Sequence, residues 1–93
     1  MNLKYEVRWT KPARKDLGKY EKGLRNKINE ALRNLILYLN GAKTKKPDVK
    51  KLQGKFKGFM RLRVGEYRVI FQMRKNEFII LVVKVDKRGD VYK

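Results

Sequence analysis

The first nine residues alternate between polar and apolar side chains. Leu3, Tyr5, Val7 and Trp9 are separated by single polar residues. A period of two is typical of a strand that buries one face. The pattern therefore predicts a first strand over residues 2–9, with its apolar side against a core.

Helical spacing begins directly after this strand. Thr10 can act as an N-cap and Pro12 suits the first turn of a helix, which predicts a short first helix. Gly18 and Gly23 weaken its end, so we expect a break near residues 20–23.

A second, longer helix is predicted from Leu24 to the stop at Asn40-Gly41. Because the link between the two helices is short, they should lie as an antiparallel hairpin across one face of a sheet. Ile36 and Leu37 fall off the main apolar stripe of this helix. They either reach the edge of the sheet or remain exposed for a partner.

The second half of the chain is organised around a predicted β-hairpin. Residues 59–64 and 67–73 have the composition of strands, and Gly65-Glu66 between them fits a two-residue type II′ turn. A turn of this length fixes the register of both strands, because each residue then has one defined partner.

This register brings arginines together. Arg63 faces Arg68, and Arg61 lies two residues along on the same face. Like charges directly opposite each other cost about 0.2–1 kcal/mol, whereas the guanidinium fork matches the oxygens of a phosphate. A solvated basic face is the simpler interpretation, and the pairing of arginines favours an anion site.

The last strand is predicted from an almost continuous apolar run over residues 77–85. Such a strand is typically buried on both faces and lies inside a sheet, so we place the first strand beside it. The predicted fold is one α+β domain over residues 1–93 with the element order β-α-α-β-β-β. Its four-stranded, antiparallel-type sheet has the spatial order first, fourth, third, second (β1-β4-β3-β2), and residues 42–51 are predicted to form a basic, mobile loop.

Charge and missing residue types limit the possible functions. The chain contains 26 Lys and Arg against 9 Asp and Glu, a formal charge of +17, which indicates a polyanionic partner, with nucleic acid first and an acidic protein second. The absence of histidine and cysteine excludes imidazole acid–base catalysis, thiolate nucleophiles and disulfides. No apolar run predicts a membrane span or a signal peptide, so we expect a soluble, unprocessed, cytoplasmic protein.

Several short motifs in this order resemble those of the RelE toxins of prokaryotic toxin–antitoxin pairs. They are Leu52-Gln53-Gly54, Arg61-Leu62-Arg63, Gly65-Glu66-Tyr67-Arg68-Val69-Ile70, Lys87-Arg88 and Val91-Tyr92. The resemblance implies a fold like that of the microbial RNases and a ribosome-dependent endoribonuclease that cuts mRNA in the decoding (A) site. It also implies an acidic, RelB-like antitoxin bound as a heterodimer or heterotetramer, and a reaction without metal or cofactor.

The resemblance also implies the residues of the site. The catalytic residues it indicates are Arg61, Arg68, Arg88 and Tyr92. Phe59 departs from the family, where a basic residue is usual. The basic residues expected to contact RNA or the ribosome are Lys50, Lys51, Lys55, Lys57, Arg63, Lys84 and Lys87.

Two features of the predicted site concern its chemistry. Arginine cannot readily accept a proton, so another residue must act as the general base. The candidates are a lysine of the cationic cluster, Tyr92 and Glu66, and the sequence does not choose among them. Arg68 is taken as the centre of the site and is expected to be exposed, so that its loss would leave stability unchanged or slightly raised.

Two other functions fit the same sequence. One is a ParE-like toxin, which has the same fold and poisons DNA gyrase without a nuclease site. The other is a basic RNA-binding module without catalytic activity. The RNase interpretation depends on Arg61, Arg68, Arg88 and Tyr92 acting together.

Overall fold

Five strands and two α-helices make up residues 5–87, the part of the chain that the computed structural model describes. In chain order they are β1 (Glu6–Trp9), α1 (Lys11–Gly18), α2 (Lys22–Leu39), β2 (Val49–Lys51), β3 (Met60–Val64), β4 (Tyr67–Arg74) and β5 (Ile79–Lys87). Two single-turn 3₁₀ helices, Gly54–Phe56 and Lys75–Glu77, lie between β2 and β3 and between β4 and β5, respectively.

The strands form one mixed sheet in the order β1-β5-β4-β3-β2. β1 runs parallel to β5, and the other neighbours are antiparallel. The predicted α+β fold and the predicted order of the four main strands are confirmed. The strand count is wrong, because β2 adds a fifth strand at the edge.

The extra strand lies at the end of the segment that was predicted to be a loop. Val49 pairs with Leu62, and the Arg63 amide donates to the Asp48 carbonyl at 3.0 Å, so the loop ends before residue 49. Three residues are too few to reveal a period of two, and Val49 is the single apolar residue among them. The strand forms because the edge of β3 offers unpaired backbone groups and Val49 packs against the core.

Both helices pack on one face of the sheet. The core joins Ala13 of α1 and Ile28 of α2 to buried residues of the strands, among them Phe71. Thr10 caps α1 as predicted, with its hydroxyl accepting from the Ala13 amide at 3.2 Å. Ile36 also packs against the core. Within residues 5–87, neither helix has both the length and the hydrophobicity needed to cross a bilayer.

The central position predicted for the last strand is confirmed, but its burial on both faces is wrong. Ile80 and Val82 are fully buried, whereas Leu81 is only partly buried. The helices cover one face, and we call the opposite face of the sheet the open face. Side chains of β5 that point there stay in partial contact with solvent.

A β-bulge in β5 decides which side chains reach the open face. Phe71 pairs with Val82 while Ile70 pairs with Lys84, so Val83 is an extra residue. An extra residue reverses the alternation of side chains beyond it. Val85 consequently joins the core, and Asp86 is turned onto the open face.

Candidate functional site

The β3–β4 hairpin has the predicted register. Val64 pairs with Tyr67 and Arg63 with Arg68, so Gly65 and Glu66 form the two-residue loop. Gly65 has a φ of 60°, as the first position of a type II′ turn requires. Tyr67 also contacts Tyr20 edge to face, with 5.0 Å between ring centroids, which packs the turn end of the hairpin against the chain that follows α1.

The hairpin brings its arginines to the open face beside β2. There they line a cavity of about 240 Å³ that we call the arginine cleft. Its lining consists of Lys50, Lys51, Leu52, Gln53, Arg61, Arg63 and Arg68. The structure therefore brings together five of the predicted site residues, and all five are cationic.

Arg68 differs from the prediction in one important respect. It is only 3% exposed and is the one charged residue among residues 5–87 that is buried. Its Nε donates to Asp86 Oδ1 at 3.1 Å and its Nη2 donates to Oδ2 at 3.3 Å. The expectation that Arg68 is exposed is therefore wrong, because a carboxylate from β5 already occupies its guanidinium fork. The expectation that its loss leaves stability unchanged rested on that exposure and loses its basis.

Asp86 is the site residue that the sequence did not reveal. In the strand register, Asp86 of β5 lies opposite Arg68 of β4, and Arg68 lies opposite Arg63 of β3. Asp86 reaches the open face through the bulge at Val83, which simple alternation along β5 does not predict. The available signal was an acidic residue at the end of an apolar strand in a chain with few acidic residues.

A helix side chain holds this end of β5 in place. β1 pairs with β5 only as far as Val82, so the Val85 amide lies beyond the parallel ladder. Asp16 of α1 accepts a hydrogen bond from that amide through Oδ2 at 3.1 Å. The residue next to Asp86 is thereby fixed to the helical layer.

The other two arginines of the cleft differ in whether they form an ion pair. Arg61 pairs with Asp48, with 3.1 Å between Nη1 and Oδ1, and also donates to the Asp48 carbonyl at 3.2 Å. Arg63 is exposed, and its Nε donates a long hydrogen bond of 3.4 Å to the carbonyl of Gly65. Of the three arginines, Arg63 is the one without a carboxylate partner among residues 5–87.

The remaining predicted contact residues lie at varying distances from the cleft. Lys84 pairs with Ile70 and so shares the open face, whereas Lys87 pairs with Tyr67, whose side chain is on the helix side. Lys55 lies over the Phe56 ring, 5.6 Å from its centroid, and Lys57 lines a different cavity. Arg88 and Tyr92 lie outside the described residues, so the structure does not bear on their predicted roles.

A family model described as "ParE toxin of type II toxin-antitoxin system, parDE" matches residues 7–92, nearly the whole chain. The chain belongs to the RelE/ParE superfamily of toxins. The resemblance to RelE toxins inferred from its motifs is thereby confirmed.

Solved structures place this RelE-like toxin close to RelE proteins. It is 30% identical to RelE in the archaeal RelE–RelB complex from Pyrococcus horikoshii OT3, with a TM-score of 0.69, covering 92% of this chain and 97% of that one. It is 25% identical to the toxin–antitoxin complex RelBE2 from Mycobacterium tuberculosis, with a TM-score of 0.72 and coverage of 90% and 98%. The YoeB–YefM complex from Staphylococcus aureus shares the fold at 22% identity, with a TM-score of 0.65 and coverage of 88% and 94%. No curated protein sequence matches the chain.

The open face of this RelE-like toxin carries an excess of positive charge at the arginine cleft. Five cations and two carboxylates surround the cleft, which leaves an excess of three positive charges. Cations that converge on one cavity raise the local concentration of anions and stabilise charge that develops there. Residues 5–87 contain no group of three or more Asp, Glu, His or Cys side chains that could hold a metal ion.

Proposed function

We propose that this toxin cleaves messenger RNA in the decoding site of the ribosome, in the cytoplasm, and that an acidic antitoxin neutralises it. The observation that carries the proposal is the arginine cleft, where Arg61, Arg63 and Arg68 converge on one cavity of a type II toxin. The 30% identity to an archaeal RelE supports the RelE branch of the superfamily.

The proposed reaction is attack of a 2′-oxygen on the adjacent phosphorus. The 2′-hydroxyl loses its proton, the new oxygen–phosphorus bond forms, the bond to the 5′-oxygen breaks, and that oxygen takes up a proton. The pentavalent phosphate carries more negative charge than the substrate. Fixed cations that are already in place stabilise this extra charge without reorganising.

The three arginines of the cleft have different roles in this proposal. Arg63 is exposed and has no carboxylate partner among the described residues 5–87, so it makes the first contact with the RNA backbone. Arg68 is held by Asp86 through Nε and Nη2, which leaves its Nη1 outside the ion pair for the phosphate. Arg61 lies beside them and exchanges its exposed partner Asp48 for the phosphate at little cost.

Arg88 and Tyr92 complete the proposed site on the strength of the resemblance alone. Arg88 would add a further cation to the site. Tyr92 would stack on an unpaired base or take part in proton transfer. The general base is therefore one of a cleft lysine, Tyr92 or Glu66.

Dependence on the ribosome follows from the chemistry of the cleft. The chain contains no histidine, and the arginines of the cleft grip phosphate without removing a proton. A site with strong phosphate binding and weak proton transfer gains most from a substrate that is already aligned for in-line attack. The ribosome would supply that alignment by holding the mRNA in one conformation.

A second candidate function is poisoning of DNA gyrase without cleavage of RNA. The observation in its favour is that the family model that matches the chain is that of the ParE toxins. The two functions make different demands on the arginine cleft, because gyrase binding needs no stabilisation of a pentavalent phosphate.

An acidic antitoxin fits both functions. The comparison structures from P. horikoshii, M. tuberculosis and S. aureus are all toxin–antitoxin complexes. The formal charge of +17 favours an acidic partner, and covering the arginine cleft would neutralise its charge and block RNA at once.

The test compares three reactions with the purified toxin. The same mRNA is supplied on programmed ribosomes and free in solution, and gyrase is assayed separately for supercoiling. We expect cleavage on ribosomes to be much faster than cleavage of the free RNA, with supercoiling unaffected. Equal rates on bound and free RNA, or inhibition of gyrase without cleavage, would contradict the proposal.

A further inference from the structure

An apolar groove lies on the helix side of the sheet, at the end of the β3–β4 hairpin away from its turn. Its cavity of about 520 Å³ is within the range of about 300–1,000 Å³ typical of ligand sites. The apolar part of its lining consists of Leu39, Leu52, Phe59, Met60 and Met73. All five are partly buried, so each still presents surface to an incoming group.

Lysines surround this apolar groove. Lys51, Lys57 and Lys75 line it together with the apolar residues, and all three are exposed. Within residues 5–87 none of them forms a salt bridge with a carboxylate. An apolar floor with an unpaired cationic rim is complementary to apolar side chains flanked by Asp or Glu.

The wall of the apolar groove is closed by backbone hydrogen bonds. The Leu52 amide donates to the Phe59 carbonyl at 2.9 Å, which ties together the two ends of the loop between β2 and β3. Inside this loop the Lys57 and Phe59 amides donate to Gly54 and Phe56 at 3.0 Å each. A wall that is already ordered reduces the entropy lost on binding.

The apolar groove and the arginine cleft meet at one edge of the sheet. Lys51, Leu52 and Gln53 line both cavities, although the groove is on the helix side and the cleft is on the open face. Lys51 is the last residue of β2, the edge strand of the sheet, and Leu52 and Gln53 follow it. A chain that fills both cavities must wrap around this edge.

The lining favours a polypeptide over RNA as occupant. Nucleic-acid bases stack on flat aromatic faces, whereas four of the five apolar side chains here are Leu or Met. The remaining one, Phe59, already contacts Phe56 edge to face, with 6.4 Å between centroids. Methionine side chains adapt their shape and are frequent at surfaces that accept apolar side chains of a partner.

We propose that the apolar groove anchors an acidic segment of the antitoxin, which continues around the Lys51–Gln53 edge into the arginine cleft. The inference rests on the proposed function for the identity of the partner, and it adds the site and the chemistry of the contact. Apolar side chains of the segment fill the groove, and its carboxylates pair with the lysine rim and the exposed Arg63.

The experiment measures the affinity of the antitoxin encoded beside the toxin gene for toxin variants. Met73→Gln makes the floor polar at nearly constant volume, and Lys75→Glu reverses a rim charge. Lys43→Glu, in the exposed loop between α2 and β2, is the matched control for charge. We expect the dissociation constant to rise at least about tenfold for each groove variant and less than about threefold for the control, with inhibition of translation by each free toxin unchanged.

Each other outcome has a defined meaning. Groove variants that bind the antitoxin as tightly as the control would overturn the proposal. The proposal would also be overturned by groove variants that bind the antitoxin with unchanged affinity but bind a single-stranded oligouridine more weakly, because the groove would then be an RNA-binding site. Circular dichroism checks whether Met73→Gln is folded. If Met73→Gln unfolds, the test rests on Lys75→Glu, which changes an exposed side chain. A wild-type toxin that binds its antitoxin but leaves translation unaffected would contradict the proposed function and not the groove.

Discussion

Loss of the Arg68 guanidinium should destabilise the protein, although Arg68 faces the candidate site. Arg68→Met keeps much of the side-chain volume and removes both hydrogen bonds to Asp86. The Asp86 side chain is only 14% exposed, so its carboxylate would be left largely buried without a partner. This is the opposite of what relief of the Arg63–Arg68 repulsion alone would produce.

The magnitude follows from the burial of the pair. Removing one partner of a buried ion pair costs about 3–5 kcal/mol. Asp86 keeps some contact with water and lies on the open face, so we expect about 2–3 kcal/mol, at or just below the lower limit of that range. For a chain of this size such a loss lowers the melting temperature by roughly 10–20 °C.

Urea unfolding of a double-mutant cycle is the appropriate assay, because guanidinium chloride would screen the ion pair. The cycle consists of wild type, Arg68→Met, Asp86→Leu and the double variant. Both single variants should be destabilised, and the double variant should recover to within about 1 kcal/mol of wild type, since apolar residues often replace a buried pair without loss. An Arg68→Met variant as stable as wild type would refute the buried pair.

Three further variants test other parts of the structure. Arg63→Gln should raise the ribosome concentration needed for half-maximal cleavage and reduce its salt dependence, with the melting temperature unchanged; an unaltered salt dependence would show that Arg63 does not contact the RNA backbone. Thr10→Ala should cost about 0.5–2 kcal/mol of stability in urea unfolding through loss of the α1 cap, and no change would mean that the cap is dispensable. Asp16→Ala leaves the Val85 amide without its acceptor and should cost about 1–3 kcal/mol by the same assay; faster hydrogen exchange of that amide is the specific readout, and unchanged exchange would contradict the contact.

Local signals in the sequence predicted most of the fold. Gly65-Glu66 fixed the register of the hairpin because a two-residue loop allows only one set of partners, and the structure has that register. Thr10 predicted the start of α1 because an N-cap acts on amides only a few residues away. The motifs that contain Arg61 and Arg68 identified the family.

The parts that could not be predicted depend on contacts between distant segments. β2 exists because the edge of β3 accepts it, and its three residues carry no periodic signal. The bulge at Val83 is set by pairing with β4, and it alone brings Asp86 to Arg68. Arg68, which the hairpin sequence alone predicts to be exposed, is therefore buried in an ion pair with Asp86, 18 residues further along the chain.

Arg61 offers a cleaner test of the site than Arg68, whose replacement also changes folding. The Arg61 side chain is 14% exposed, but its partner Asp48 is 54% exposed and stays hydrated when it is left unpaired, so loss of this ion pair should cost only about 0–1 kcal/mol. Arg61 lines the arginine cleft, where charge stabilisation of the phosphate is proposed. Arg14, exposed on α1 and away from the cleft, provides a matched control for the loss of one positive charge.

The most direct measurement is the maximal rate at which ribosome-bound mRNA is cleaved by wild type, Arg61→Gln and Arg14→Gln. The account predicts that Arg61→Gln lowers this rate by roughly 10²–10³, the effect of losing one donor that stabilises transition-state charge, while its melting temperature and the rate of Arg14→Gln stay close to wild type. An Arg61→Gln variant that cleaves as fast as Arg14→Gln would contradict the assignment of the arginine cleft as the nuclease site.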